Sequence, residues 1–266
     1  MQLRITISPN KVAIGCIVIA FVFVMIDLVT QYPRYSPFDF PFRYRLDRLF
    51  HMGREANVPA WFSTVLFLLA ALLLSIIAYA KTMQRAAFRY HWLMLSAVFV
   101  YLSADEAAVL HEELGNAVGT IFPNTILSYG WFVPGAIAVA VFAIFCLQFL
   151  LNLPGRTRWV FVLAGSIFVG GAIGIEALAS PYENGRPADF LFATLVALEE
   201  FMELAGLTIF IYALMNYIYT TMDGLTFVIT SSDKSRTSLL TLEEKRSPVT
   251  TVLDGIDREI PVPITS

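Results

Sequence analysis

The residues in this chain that could do chemistry are carboxylates set inside apolar sequence. Asp105 and Glu106 stand in one apolar run, and His111, Glu112 and Glu113 follow where it ends. Glu176 interrupts a glycine-containing run, and Glu199, Glu200 and Glu203 interrupt another. A charged side chain at the centre of a bilayer costs about 2.5–3.5 kcal/mol on insertion scales, so acids in such runs point to a partner or a task. Carboxylates gathered without matching cations take up protons or bind hard cations. An imidazole beside them widens the choice to iron, manganese or zinc. The expected ligand set is Asp105, Glu106, His111, Glu112, Glu176, Glu199 and Glu203, with Arg54, Glu55 and Glu200 in support.

The elements that must position these groups follow from composition. Of 266 residues, 57% are hydrophobic and 15% charged, against about 25% charged in soluble domains. That excludes a soluble enzyme, a disordered chain and a collagen-like one, and it indicates an integral membrane protein. The net charge of −3 suggests no nucleic-acid partner. Cys16 and Cys146 both lie in apolar runs, which argues against a disulfide framework or a thiolate zinc site.

A span needs roughly 20 apolar residues. Six stretches qualify: about 12–29, 59–80, 92–110, 131–151, 159–179 and 190–219. The expected fold is therefore all-α, a polytopic transmembrane helix bundle over 1–219. No small-x-small cleavage site follows the first run before Tyr32-Pro33, so it reads as an uncleaved span. Residues 220–266 are rich in Ser, Thr, Lys, Glu and Pro and read as a mostly disordered cytoplasmic tail, with one short strand pattern at Leu225–Thr230.

Lys and Arg concentrate before the first span, after the second, after the fourth and in the tail. That places both termini in the cytoplasm. The loop after the first span dissents, with Arg34, Arg43, Arg45, Arg48 and Arg54. Phe42–Met52 reads there as an amphipathic interfacial helix against lipid headgroups. With this orientation the acids of the third, fifth and sixth spans share one layer in the outer half of the bundle. Glu199–Glu203 lie roughly 14–20 Å along their helix, at about 1.5 Å per residue. At about 100° per residue, Asp105, Glu106, Glu112 and Glu113 fit one arc of a continuous helix, and His111 falls away from it. Arg54 and Arg186 are the cations expected near the layer.

Plainer readings apply elsewhere. Glu112 and Glu113 suit a solvated interface equally well, and Asp27 and Glu55 read as interfacial. His91 reads as interfacial and His51 as a surface residue, although His51 and Glu55, four apart, would share a helical face. Trp61, Trp92, Trp131 and Trp159 form interface belts. Gly165, Gly170, Gly171 and Gly174 serve close helix packing.

Taken together, Arg54–Ser63, Leu102-Ser103-Ala104-Asp105-Glu106 with His111-Glu112, Gly174-Ile175-Glu176 and Leu198–Gly206 resemble a family of uncharacterised bacterial multi-pass inner-membrane proteins. The resemblance covers the chain up to about Tyr219 and implies a location rather than a reaction. Other families fail on their motifs. The Glu-Glu-x-x-x-Arg of CAAX-type proteases meets Leu204 here, His-Glu-x-x-His lacks its second His, and histidine-rich desaturases do not fit three His.

Three functions compete. A metal site of iron, manganese or zinc would act on a lipid or small molecule entering from the outer leaflet. A cation or proton pathway would relay charge through the acids. A non-catalytic subunit or assembly factor would use them structurally. The metal site leads on donor chemistry, although the Glu-x-x-His pairs of di-iron bundles are missing.

Overall fold

A computed structural model describes residues 7–122, 132–183 and 189–222. Among them the chain is helical, with no strand. In order come α1 (Pro9–Gln31), a 3-10 turn (Tyr32–Arg34), α2 (Arg43–Phe50), α3 (Val58–Met83), α4 (Arg89–Ala108), α5 (Leu110–Ile121) and α6 (Phe132–Leu151). Then follow α7 (Gly155–Val169), a π-helical segment (Gly170–Ile175), α8 (Glu176–Glu183) and α9 (Phe190–Thr221). The expected all-helical class holds, and α2 forms where the amphipathic segment was read. The expected tail and its strand pattern lie, beyond Met222, outside the described residues.

Four stretches are long and apolar enough to cross a membrane: Pro9–Arg34, Val58–Met83, Phe132–Leu151 and Gly155–Ala179. A fifth results if α4 and α5, bent by 88°, count as one broken span. The helical run expected to end at about residue 179 continues to Glu183.

The helix α9, 32 residues long, packs against α1, α3 and α7, and α3 packs against α4. The tightest core lies between α3 and α9, where Leu74, Ile77, Ile211 and Leu214 are almost fully enclosed. In lipid such packing is held by van der Waals fit and hydrogen bonds between helices, because lipid tails are as apolar as the side chains. Hydroxyls stitch α3 to α4: Ser96 Oγ donates to Ala71 O at 3.0 Å, and Ser103 Oγ to Thr64 O at 3.1 Å. At the end of the bundle where α3 finishes and α4 starts, Trp92 meets Phe149 edge-on at 4.9 Å and Tyr217 at 5.1 Å. His91, expected to be merely interfacial, stacks on Phe145 and Phe149 there. The opposite end gathers the end of α1 and the starts of α3 and α9, and it holds the acids.

Candidate functional site: a carboxylate cluster at one end of the bundle

The first part of the site is made by a break. Val109 takes a left-handed conformation (φ 59°) and ends α4, its N–H donating to Asp105 O at 2.7 Å. The chain turns into α5, and the turn brings His111 back onto Asp105. The His111 N–H donates to Asp105 Oδ1 at 2.7 Å, and His111 Nδ1 lies 3.1 Å from Asp105 Oδ2. Asp105 thus closes one of the open N–H groups at the start of α5, the service an N-cap supplies. This corrects two expectations. A continuous helix would have put Glu112 and Glu113 on the arc of Asp105 and Glu106. The break takes Glu113 off that arc and delivers His111 instead. Glu113 is exposed, and the side chain of Glu112 lies outside the described residues.

Glu106 faces α3, where the Ser63 hydroxyl donates to its carboxylate. Its strongest charged neighbours are His111, Asp105 and Glu55. Asn57 fixes the loop that carries Glu55. Its Oδ1 accepts from Ala60 N–H at 3.1 Å as the α3 cap, and its Nδ2 donates to His51 O at 2.6 Å and Arg54 O at 2.7 Å.

The second part comes from α7 to α9. The π-helical turn sits directly before Glu176 and against Glu199 and Glu203. A β-carbon on Gly171 would lie 2.8 Å from Glu199 O and 3.4 Å from Glu203 Cγ. Only glycine allows this approach, and single π turns of this kind recur at functional sites. Gly170 also packs closely, near Met202, whereas Gly165 and Gly174, expected to do the same, have open space beside them. The strongest charged neighbours of Glu203 are Glu106, Glu199, Glu176 and Asp105. Those of Glu200 are Glu203, Glu106, Glu199 and Asp27. The structure therefore brings together Asp105, Glu106, His111, Glu176, Glu199, Glu200 and Glu203, with Glu55 at the edge.

Arg54, expected in support of this group, stands beside Asp47. It is half exposed and lies 3.7 Å from Asp47 Oδ2. Asp47 also takes a forked bond from Arg34 Nη2, at 2.8 and 3.0 Å. Arg186 lies outside the described residues.

Two residues set aside as interfacial or superficial belong to the site's neighbourhood. Asp27 is 1% exposed, and His51 Nδ1 stands 3.4 Å from its Oδ1. The Met52 N–H faces the Asp27 carboxylate, and Gln31 Nε2 approaches Oδ1 at 3.4 Å. His51 cannot share a face with Glu55, because α2 ends at Phe50 and the following residues are not helical. Burial pushes His51 below its ordinary value, to about 4. Arg54 and Arg34 act in the same direction, and Asp47 opposes them. The pair therefore meets with a neutral imidazole near pH 7. A sequence signal existed: Asp27, Thr30 and Gln31 place three polar groups on one turn of an apolar helix.

Among the described residues, no three His, Cys, Asp or Glu side chains converge closely enough to hold a metal ion. The arrangement gives a set of carboxylates crowded by one another, with one imidazole bonded at its rim. No curated protein and no solved structure matches the chain. The model of a family described as a domain of unknown function, DUF8692, matches residues 13–218, and the chain belongs to that family.

Proposed function

We propose that the protein is a six-span protein of the bacterial inner membrane, with both termini in the cytoplasm, and that its carboxylate cluster holds exchangeable protons in the outer half of the bundle. One observation carries the reading: the strongest charged neighbours of Glu203 and of Glu200 are all carboxylates. Two like charges about 6 Å apart repel by about 3 kcal/mol at an effective dielectric of about 20. Glu106, Glu200 and Glu203 face one another inside apolar helices, where such repulsion favours neutralisation by protons or a cation. Protons suit side chains that crowd one another without converging on one point.

A metal of the iron, manganese or zinc class is the second reading. The observation favouring it is the His111 imidazole held at Asp105 beside Glu106, which offers mixed nitrogen and oxygen donors.

Infrared spectra and elemental analysis of the purified protein in lipid discs separate the two. The proton reading expects a protonated-carboxyl C=O band at neutral pH that weakens in Glu203→Gln and Glu106→Gln, with no bound metal. One metal per chain, lost in Glu203→Gln, would establish the second reading. A fully ionised cluster without metal would sink both.

A further inference from the structure

The carboxylates of the cluster are half-buried, and a proton-holding site needs a route to water. The Asp27–His51 pair lies between the surface and the cluster. Asp27 is enclosed, yet its Oδ2 has no hydrogen-bond partner, and the facing Nδ1 of His51 has none either. An unpartnered buried carboxylate oxygen costs on the order of 1–3 kcal/mol or more, so its presence asks for an explanation beyond packing. On one side of the pair, His51 keeps 16% of its side chain exposed. On the other, Asp27 is among the strongest charged neighbours of Glu200. The loop carrying His51 is held in place: Asn57 bonds its carbonyl, and Gly53 abuts Val196 on α9.

We propose that His51 and Asp27 form the proton port of the carboxylate cluster. It deepens the proton-holding reading and rests on it. The neutral imidazole accepts a proton from water at Nε2 and releases the one on Nδ1 to Asp27 Oδ1. Asp27, which holds a proton on Oδ2 at rest, takes the incoming one on Oδ1 and releases the one on Oδ2 toward Glu200, its charged neighbour, and rotation of the carboxyl restores the resting form. The imidazole ends as the other neutral tautomer, and a ring flip or tautomer exchange resets it. No electrons move, and one proton enters the cluster for each one taken from water. The groups facing the pair set its bias: Gln31 from the end of α1, Arg34 from the 3-10 turn after it, Asp47 from α2, Arg54 from the loop and Glu200 from α9. The Arg34–Asp47–Arg54 group keeps two cations at the mouth, which disfavours an imidazolium at rest and so favours onward release.

The test follows the carboxyl C=O band of the full chain in lipid discs after a switch from H2O to D2O. His51→Ala and Asp27→Asn should slow its exchange by on the order of 100-fold, the lower end for losing a positioned proton carrier. Imidazole added to the buffer should restore the rate in His51→Ala, which a purely structural role would not permit. Melting curves guard against misfolding, and His51→Gln replaces His51→Ala where the latter is unstable. Exchange at the wild-type rate in folded variants would overturn the port alone, as would slowing that imidazole leaves untouched. Absence of any carboxyl band sensitive to Glu203→Gln would overturn the proton-holding reading, and the port with it.

Discussion

His51 shows how a single side chain couples site and stability. Its folded value of about 4 lies below its ordinary 6.5. Between those values the unfolded chain binds a proton that the folded one does not, so stability rises with pH across this window. The contribution is complete above pH 6.5 and is lost as pH falls to about 4. Its full size is on the order of 3 kcal/mol, from about 1.4 kcal/mol per unit. Melting temperature in detergent should therefore drop over that range, and His51→Gln should flatten the drop. An unchanged profile in His51→Gln would place the acid sensitivity elsewhere. The acids of the cluster were legible in the sequence because charge in an apolar run is conspicuous. The Asp27–His51 pair was not, because its members are 24 positions apart and each alone resembles an interfacial residue. His111 was misplaced for a different reason. Nothing in Ala108-Val109-Leu110 announces a break, and a left-handed valine is a conformation that propensity argues against.

At the scale of elements, the π turn and two glycines bring α7 against α9. Helix α9 uses Gly206, which the sequence reading did not single out for packing. A β-carbon there would lie 2.7 Å from Phe168 N and 2.8 Å from Ala164 O, both backbone atoms that cannot swing aside. Gly206→Ala should thus cost about 1–3 kcal/mol by overpacking. Gly165→Ala, with nothing within 4 Å of the added carbon, should stabilise α7 by about 0.5–1 kcal/mol through helix propensity. Opposite shifts in melting temperature for the two variants are the expected result, and a shared direction would contradict the packing. Gly165, Gly170, Gly171 and Gly174 share one segment, and sequence alone could not tell which of them face a neighbour. That depends on the π turn, which adds a residue and rotates everything after it. The same rotation sets where Glu176 points, so the approach at Gly171 and the placing of the acid are one event.

For the whole molecule, the number of crossings follows from which helices meet lipid. Helix α6 buries only Phe149 and carries no charged residue, as suits a span facing lipid. Helix α9 is the opposite case, with three glutamates in its first half and protein contacts from α1, α3 and α7. A helix shielded by others is released from the apolar requirement that lipid imposes. At about 1.5 Å per residue its 32 residues reach about 48 Å, well over a hydrocarbon core of about 30 Å. Counting α9 as a span, and α4 with α5 as one broken span, gives six crossings and puts both ends of the described chain on one side. The proposed topology puts that side in the cytoplasm, in keeping with the concentration of lysine and arginine in the loops assigned to it. Single cysteines at Ile7→Cys and Thr221→Cys, with Cys16 and Cys146 replaced by Ala, should resist an impermeant maleimide in intact spheroplasts and react after permeabilisation. Glu113→Cys, exposed beside the break after α4, should react from outside in both conditions. Labelling of Ile7→Cys and Thr221→Cys from opposite sides would require an odd number of crossings. Then α9, or the bent pair, would enter and leave by the same face, and the carboxylates would open to a different compartment than the His51 port assumes.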